Sequence, residues 1–575
     1  MPRRILPALA LVFVVVACTA NSDETSTTEA GAGSSPTITG AASSTSSTSS
    51  TIPPDGFGGE VTIGMETSVG TLNPFSPNAF NERLAGNLVW ALVYDIAPET
   101  WERTPESVTT LPSDSGNIEV NDDGTMTVRY EVRQGLVWSD GEPMTGEDVA
   151  FTAEAMRDMA LSGIANVPEV MGTVLATDSV DRLAYITFSE PTLAFEDALW
   201  IILPRHALEG VDLVEGTDGS DWPSGGPFVV AEFDPFGAVR FERNEQYWKT
   251  DDDGRALPYL DAVVITDVGD EPQSPAPDFV LRALDVALVN PWDADLRTIE
   301  GAEPDGAVLT TAPSPVIEHI TFEFAGARDD VNPGSENGTA DYREAVAMSL
   351  DRPAILAETG VPWYSGVPGM LIPVGTSPWE QYSYDPSAAG NLIDGVQGDS
   401  EASIQARLTT TGNGDYRIRV GDALTTSFDS IGVDYEPIYL DSVLFFGETL
   451  ETGAFDLGMW AWISDGGVQN QLALLDLFNP AVEPPTGNYG RWDGGESADR
   501  FTEIVAEAHT TVDPERFHEL IAEAEDILAT ELPIIPLFNR AIHVAYWSDV
   551  VTGIVPNGSA STVTWNIESW QRVGE

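Results

Sequence analysis

Regular alternation of apolar and polar side chains marks the first strands of this chain. Apolar residues occupy every second position over residues 61–65, which is the pattern of a half-buried strand. A second alternation runs over residues 125–132, directly after the turn-forming residues 121–124. The sequence therefore predicts a strand at each of these two places.

Apolar residues at helical spacing predict several amphipathic helices. Thr145 is followed three residues later by Asp148, an arrangement close to a capping box, so a helix is expected to begin there. Helical periodicity also predicts helices over residues 342–350, 403–408 and 517–528. In the last of these, the periodic positions are expected to face a core.

The chain begins with the pattern of a secretory leader. Arg3 and Arg4 precede an apolar run at 5–17 that is too short to span a bilayer stably, and this run ends in Val-Val-Ala before Cys18. These features predict a signal peptide over 1–18. The ending resembles the lipobox of bacterial lipoproteins, which implies that Cys18 becomes the new N-terminus and carries acyl chains. The two arginines leave open whether export follows the general or the twin-arginine route.

Residues 19–56 have a composition that cannot form a core, because Ser, Thr, Ala and Gly dominate them. We predict a disordered tether that holds the folded part a few nanometres from the lipid. The remaining chain, 57–575, is long enough for two or three domains, and no second apolar run approaches the length of a membrane span. The protein is therefore expected on the outer face of the plasma membrane, anchored through Cys18.

The charge of the chain excludes nucleic acid as a partner. The sequence has 92 acidic and 26 basic residues, a formal net charge of −66, and Lys249 is its only lysine. Phosphate binding needs clustered Lys and Arg, which this composition does not supply. The acidic excess fits either a solvated surface or a field that concentrates cationic solutes, and the sequence leaves both open.

Five segments of the body form a series that can be compared with known families. In chain order they are 135–156 (GLVWSDGEPMTGEDVAFTAEAM), 226–249 (GPFVVAEFDPFGAVRFERNEQYWK), 342–356 (YREAVAMSLDRPAIL), 455–466 (FDLGMWAWISDG) and 529–538 (ATELPIIPLF). Each resembles a signature segment of the family 5 extracellular solute-binding proteins, the peptide- and nickel-type receptors of ABC importers. The resemblance covers the chain from about residue 59 to its C-terminus.

This resemblance implies an α/β fold with two lobes, the periplasmic-binding-protein fold of type II, in its large cluster with an extra domain inserted in the first lobe. The strand-like segments around Ile186 and Val229 would return to the strand at 61–65, and the stretch 534–570 would come last. The implied domains are lobe I from 57–85, 178–295 and 533–575, an inserted domain at 86–177, and lobe II at 296–532.

A closing cleft strips water from its ligand, so a charged ligand group needs an opposite charge from the protein. In peptide-binding members of the family that charge is an acid three residues after a Trp, and Trp462 and Asp465 match this spacing. The resemblance therefore implies that Asp465 pairs with a ligand amine, while Trp462 and the nearby Trp460 wall the pocket. An ordinary loop acid is the alternative for Asp465. Gly466 and Gly467 stand where the family often has Tyr or Pro.

Six further cleft candidates are predicted from position alone. Two follow the first strand, where ligands of open α/β sheets tend to approach. Two end a strand near the expected crossover, and two lie in a Gly/Pro loop of the second lobe. In chain order these pairs are Leu72 and Asn73, Asn290 and Trp292, and Trp363 and Tyr364.

An enzyme is the first alternative to a receptor. A glycan hydrolase with a carboxylate pair needs an acid and a base about 5 to 10 Å apart, yet none of the many acids stands in an assignable motif. GxSxG, HExxH, CxxC and phosphate-binding glycine loops are absent from the sequence, and its five histidines are scattered. We therefore predict no catalytic residue, no metal and no cofactor, with ATP hydrolysis on a separate subunit.

The sequence as a whole predicts a monomeric, membrane-tethered receptor. It would capture an oligopeptide or a similar small polar solute outside the cell by hinge closure and deliver it to an ABC permease. Two alternatives stay open at this stage. One is the cell-surface glycan hydrolase, and the other is a lipoprotein that senses or adheres without transport.

Overall fold

The structure is a computed structural model that describes residues 57–574 except 77–79, 115, 165–166, 269–273, 290–293, 303–304, 325–335, 360–365, 399, 401–402, 413–414 and 494. The predicted signal peptide with Cys18 and the whole predicted tether, 19–56, lie outside the described residues. So do four candidate site residues, which are Asn290, Trp292, Trp363 and Tyr364. No helix within the described ranges is both long and apolar enough to cross a membrane.

Strands occur throughout the described chain. In order they are β1 (Glu60–Met65), β2 (Ala91–Leu92), β3 (Tyr94–Ile96), β4 (Arg103–Pro105), β5 (Ile118–Val120), β6 (Met126–Glu131), β7 (Val174–Val180), β8 (Leu183–Phe188), β9 (Ile201–Ile202), β10 (Phe228–Phe233), β11 (Val239–Arg243), β12 (Ala262–Asp267), β13 (Val286–Val289), β14 (Ala307–Phe322), β15 (Gln405–Thr411), β16 (Asp434–Leu440), β17 (Leu457–Ile463), β18 (Ile534–Trp547), β19 (Val551–Thr552) and β20 (Gln571–Arg572). The strands predicted at 61–65 and 125–132 correspond to β1 and β6.

The α-helices lie between groups of these strands. In order they are α1 (Phe80–Gly86), α2 (Gly146–Leu161), α3 (Arg205–Leu208), α4 (Ala276–Val280), α5 (Ala294–Ala302), α6 (Ala340–Ser349), α7 (Arg352–Thr359), α8 (Pro386–Gln397), α9 (Asp415–Ser430), α10 (Ser442–Leu444), α11 (Leu450–Thr452), α12 (Val468–Phe478), α13 (Gly495–Ala508) and α14 (Pro514–Glu531). Short 3₁₀ helices cover Glu169–Thr173, Pro378–Gln381 and Val563–Ser569, and a π-helical turn covers Phe445–Thr449.

One ten-stranded sheet runs through the described part of the molecule, in the order β10-β11-β12-β1-β13-β18-β14-β17-β15-β16. β1 lies between β12 and β13 and is parallel to both. Near the opposite end, β15 lies parallel to β16 and β17. We call the part of the chain with β1–β13 and α1–α5 the first lobe, and the half with β15–β17 and α6–α14 the second lobe.

Two long antiparallel strands, β14 and β18, join the lobes. β18 pairs with β13 on the side of the first lobe, and β14 pairs with β17 on the side of the second. The register between β14 and β18 shifts between Pro313 and Ile317 and again between Glu318 and His319. The first shift lies between the part of β18 that pairs with β13 and most of the part of β14 that pairs with β17, and the second lies where β14 already pairs with β17. The exact domain boundaries given above stay predictions.

A four-stranded sheet in the order β5-β6-β8-β7 stands apart from the large sheet. Ile186 of β8 pairs there with Val128 of β6. The expectation that the segment around Ile186 returns to β1 is therefore wrong, because Ala184, Ile186 and Phe188 bury their side chains in this smaller unit. Val229 lies in β10 and does belong to the sheet that contains β1.

The capping box predicted at Thr145 is confirmed. The Thr145 hydroxyl accepts a hydrogen bond from the backbone N–H of Glu147 at 3.2 Å. In return, the backbone N–H of Thr145 donates to Oδ2 of Asp148 at 2.8 Å. These bonds satisfy donors that the first turn of α2 would otherwise leave without partners.

Two of the three other predicted helices are present. α6 covers nearly all of the segment predicted at 342–350, and α14 covers 517–528, where the periodic apolar side chains are buried except for the half-buried Ile527. The helix predicted at 403–408 is wrong, because this segment leads into strand β15. Ile404, Ala406 and Leu408 alternate with polar residues and are buried, and the β-branched residues 409–411 that follow favour a strand.

Candidate functional site

A cavity of about 360 Å³ lies between the two lobes. Most of its wall comes from the first lobe, three residues come from the second lobe, and two come from the segment after β19. The lining residues are Arg83, Asn87, Leu92, Tyr94, Ile96, Arg103, Pro168, Asp197, Trp200, Asp465, Gln469, Asn470, Ala560 and Ser561. Two arginines and two aspartates therefore face one cavity.

The wall from the first lobe carries an ion pair. Nε of Arg103 lies 2.6 Å from Oδ1 of Asp197, and both side chains are largely buried. The Arg103 guanidinium also lies 5.3 Å from the centre of the Tyr94 ring. Burial raises the pKa of Asp197, although the charge of Arg103 opposes this shift. Burial opposes the charged form of Arg103, but the attraction of Asp197 holds its pKa above the usual value.

The wall from the second lobe is the loop between β17 and α12. The backbone N–H of Asp465 donates to Oδ1 of Asn470 at 3.0 Å, and Oδ1 of Asp465 accepts from the N–H of Gly467 at 2.8 Å. The first bond holds the backbone of the loop, and the second orients the Asp465 carboxylate. An ionised carboxylate has about four acceptor positions, so the bond to Gly467 leaves capacity for a ligand donor.

The structure explains why glycines occupy both positions after Asp465. Gly466 has a φ of +74°, in the left-handed region that side chains other than glycine's rarely adopt. Gly467 packs against the first lobe, where a Cβ would overlap the Arg103 guanidinium and lie 2.8 Å from Oδ2 of Asp197. The departure from the family's usual Tyr or Pro therefore reflects a tight turn and a close approach between the lobes.

A hydrogen bond crosses the cleft at the same point. Oδ2 of Asp197 accepts from the backbone N–H of Gln469 at 3.0 Å. Gln469 belongs to the first turn of α12, whose own cap residue, Gly467, offers no side chain. An acidic group from the first lobe thus caps a helix of the second lobe, where the helix dipole favours negative charge.

Of the described residues predicted for the site, the structure brings only Asp465 to this cavity. Trp460 and Trp462 lie on β17, buried beside a separate aromatic cavity of about 20 Å³ that Tyr489 also lines. His319 packs against both of them, with ring centres 4.8 Å and 6.3 Å apart. The expectation that these two tryptophans wall the ligand pocket is therefore corrected, since strand alternation and core packing direct them elsewhere.

Leu72 and Asn73 are also placed away from the cavity, because both are buried in the first lobe. The Asn73 side-chain amide donates to the carbonyl oxygens of Leu213 and Thr217, and its oxygen accepts from the N–H of Phe75. Asn73 thus stabilises a turn. The prediction that this pair contacts the ligand is corrected for that reason.

Sequence reasoning missed Arg83, Arg103, Asp197 and Trp200. Each stands alone in its segment, without a motif or a spacing that would single it out. A weak signal was available, because basic residues are scarce in this chain. Within the described residues, no group of three or more His, Cys, Asp or Glu side chains could hold a metal ion.

Comparison with known families decides the class of this molecule. The family model for bacterial extracellular solute-binding proteins, family 5, matches residues 92–479. The chain belongs to this family. Family 5 proteins are substrate-binding components of ABC importers, and they are receptors rather than enzymes. The glycan hydrolase considered above is therefore excluded, and the chain is a receptor that acts outside the cytoplasm.

Individual relatives agree with this family assignment. The oligopeptide-binding protein OppA of Bacillus subtilis is 24% identical over 512 residues, which span 81% of this chain and 85% of OppA. The ABC transporter substrate-binding protein CtaP of Listeria monocytogenes has a similar fold, with a TM-score of 0.69 and 19% identity over 90% of this chain and 99% of CtaP. NikA of Brucella suis, solved in complex with Fe(III)-EDTA, has a TM-score of 0.66 and 15% sequence identity. The match covers 89% of this chain and 100% of NikA. The two-lobe family 5 fold predicted from the sequence is confirmed.

Proposed function

We propose that this family 5 receptor captures a short peptide, or a similar small polar solute with a free amine, in the cavity between its lobes and delivers it to an ABC permease. The observation that carries the proposal is the position of Asp465, whose carboxylate lines a cavity shared by both lobes. The similarity to OppA, whose name assigns it oligopeptides, supports the same ligand class.

The chemistry of the amine site follows from the loss of water. A ligand ammonium group that enters the cavity loses its hydration and must regain it from fixed acceptors. Asp465 can supply a charged acceptor from the second lobe. A backbone hydrogen bond already orients this side chain, so little conformational entropy is lost when it binds.

Closure of the lobes is proposed to be a hinge motion. The bond from Gln469 to Asp197 joins the two lobes directly, and the register shifts between β14 and β18 lie in the strands that connect them. A shift in register interrupts the regular ladder, which makes this region the natural place for rotation. Ligand contacts from both walls would then favour the closed form.

Anchoring is proposed to follow from the N-terminal sequence. Cleavage before Cys18 and acylation of its thiol would hold the receptor on the outer face of the membrane, with residues 19–56 as a tether. The permease and a separate ATPase would be its partners. Loss of peptide uptake on deletion of the receptor would support transport, whereas unchanged uptake would favour a sensing lipoprotein.

Two measurements on the tagless folded part test the ligand class. Native mass spectrometry should detect retained, unaltered peptide, and titration calorimetry with that peptide should show that Asp465→Asn lowers affinity at least tenfold, while Asp476→Asn, which lies outside the cavity, does not. A retained sugar or metal chelate would overturn the peptide assignment. Unchanged affinity of Asp465→Asn would overturn the role of that carboxylate.

A further inference from the structure

A buried carboxyl group lies behind the wall that the second lobe contributes to the cavity. Glu525 belongs to α14, and its side chain is buried against the loop 369–372. Its Oε2 accepts a hydrogen bond from the backbone N–H of Leu371 at 2.7 Å. Gly369 leaves room for this group, because a Cβ at that position would lie 2.2 Å from Oε1 of Glu525. The loop is thus folded around the Glu525 side chain.

The surroundings of Glu525 suit the neutral acid better than the carboxylate ion. Its Oε1 has no hydrogen-bond partner among the described residues. The carbonyl oxygen of Ile372 lies 2.3 Å from the same absent Cβ of Gly369, so this acceptor and Oε1 share one small space. A protonated Oε1 can donate there, whereas an ionised one would face another acceptor. Burial raises the pKa of Glu525 from 4.5 to about 8, although backbone N–H groups of the loop oppose this shift.

The charged groups near α14 do not stabilise an ionised Glu525. The loop 369–372 consists of Gly, Met, Leu and Ile, so it carries no ionisable side chain. Asp526, the next residue of the helix, repels a second negative charge and also raises the pKa of Glu525. On the elements packed against α14, Arg500 of α13 and Arg540 of β18 are held in ion pairs with other acids.

The same loop supports the wall of the cavity. The carbonyl oxygen of Leu371 accepts a hydrogen bond from the side-chain amide of Gln471 at 3.0 Å, and Gln471 is buried in the first half of α12. Further along the loop, Pro373 lies beside Gly466, with its Cγ 3.5 Å from the place of a Cβ there. Leu371 therefore joins Glu525 through its N–H to α12 through its carbonyl group. Release of the loop would withdraw this support from α12 and from the turn before it.

We propose that Glu525 is a positioning residue for this wall: as the neutral acid it holds the loop against α12, and its ionisation releases the loop and weakens peptide binding. A closed loop keeps the acid where charge is disfavoured, whereas an open loop exposes it to water, so rising pH favours the open loop. The effect grows between pH 4.5 and about 8, and it levels off above that value because the acid is then ionised in both states. This inference rests on the proposed function, because it takes the cavity between the lobes as the place where the peptide binds.

Peptide affinity as a function of pH tests the inference. An equimolar library of tripeptides and tetrapeptides is offered to the full-length protein in detergent, and the best-retained member, identified by native mass spectrometry, serves as the probe. Calorimetry compares the native protein with Glu525→Gln, because glutamine keeps an acceptor for Leu371 and a donor for Ile372 but cannot ionise. We expect equal affinities at about pH 5. At about pH 9 the native protein should bind the probe about fivefold or more weakly than Glu525→Gln does.

The ratio of the two affinities isolates Glu525 from other titrating groups. The amine of the probe also loses its proton in this pH range, but this change weakens binding to both proteins equally. Glu523→Gln is the matched control on α14, because Glu523 pairs with Arg500 instead of the loop. This variant should follow the native protein at every pH. Thermal melting confirms that each variant folds.

Hydrogen exchange on the native protein gives a second measurement that needs no variant. After correction for the intrinsic effect of pH on exchange, residues 369–373 and 466–471 should lose protection between about pH 5 and about pH 9. Strand β6, in the separate four-stranded sheet, should keep its protection. If Glu525 only stabilised the fold as a whole, all three segments would lose protection together.

The outcomes separate this inference from the proposed function. If the affinity ratio stays constant over the whole pH range, or if the loop keeps its protection, the inference is wrong. The peptide receptor then still stands, provided that Asp465→Asn lowers affinity for the probe. If the native protein retains no library member at any pH, the proposed peptide function fails and the inference fails with it.

Discussion

The carboxylate of Asp197 accepts a hydrogen bond from the backbone N–H of Gln469 at 3.0 Å, and this bond joins the first lobe to the first turn of a helix in the second lobe. The other carboxylate oxygen pairs with Arg103. The Asp197 side chain thus connects its ion pair with Arg103, in the wall from the first lobe, to the N-terminus of α12, in the wall from the second lobe. The contact can exist only when the lobes are close.

Asp197→Ala tests this contact. Loss of the cap and of the Arg103 partner should shift the receptor toward an open form, because a helix cap of this kind contributes about 1 kcal/mol. We expect a larger radius of gyration in small-angle scattering and an affinity for the retained peptide reduced about tenfold. Asp158→Ala, on the exposed face of α2, should change neither. An unaltered radius and affinity in Asp197→Ala would remove the contact from the mechanism of closure.

Gly467→Ala and Gly466→Ala form a matched pair in one loop. At Gly467 the φ of −72° suits alanine, but the new Cβ meets Arg103 and Asp197 across the cleft. This variant should keep its melting temperature and lose ligand affinity several-fold. At Gly466 the φ of +74° is strained for alanine, so this variant should lose about 1 kcal/mol in free energy of unfolding. Denaturant unfolding measures the stability of each variant, and calorimetry measures its affinity. A loss of stability in Gly467→Ala together with a loss of affinity in Gly466→Ala would contradict this account of the loop.

His319 predicts how stability depends on pH. Burial lowers its pKa from 6.5 to about 4, so the folded protein holds it neutral in a range where the unfolded chain binds a proton. The free energy of unfolding should therefore fall as the pH drops from 6.5 to 4, by up to about 3 kcal/mol for this group. Burial lowers the pKa of His543 to about 4 as well, which adds a loss of the same sign.

His319→Phe separates this residue from the rest of the acid response. The ring contacts with Trp460 and Trp462 suit an aromatic side chain, so the variant should stay folded and lose part of the slope of stability between pH 6.5 and 4. His518→Phe, at an exposed position of α14, should leave the slope unchanged. An identical slope in His319→Phe, measured by urea unfolding at several pH values, would show that this histidine does not contribute.

Cys18→Ser tests the anchor. Without the thiol, acyl chains cannot be attached, so the exported protein should move from the membrane fraction to the medium or the soluble extracytoplasmic fraction. Immunoblots of the two fractions measure the change. A variant that stays with the membrane in full would show that something other than lipid at this residue holds it there.

The sequence predicted the fold well because the patterns that determine strands and helices are local and recur along the chain. The alternation at 61–65, the capping box at Thr145 and the period of 517–528 each predicted an element that the structure contains. The signature segments then identified the family. One error arose where a short apolar pattern fits both a helix and a strand, as at 403–408, which leads into a strand. Another arose because a strand pattern does not reveal its pairing partner, as at Ile186, which pairs with Val128.

The site was less predictable, because it is assembled from distant segments. Asp465 could be found from its spacing to Trp462, yet that tryptophan faces the core. Arg83, Arg103 and Asp197 carry no motif and meet only after folding. Nothing in the sequence shows that Arg103 is neutralised while Arg83 has no ionic partner, since this difference depends on which side chains the lobes bring together.

The central claim is that two hinged lobes close over a bound peptide, and small-angle scattering with the peptide found by native mass spectrometry tests this claim most directly. The account predicts that saturating peptide decreases the radius of gyration of the native protein, and that Asp465→Asn needs a much higher peptide concentration for the same change. Superimposable profiles with and without peptide, at concentrations where calorimetry shows full occupancy, would contradict it.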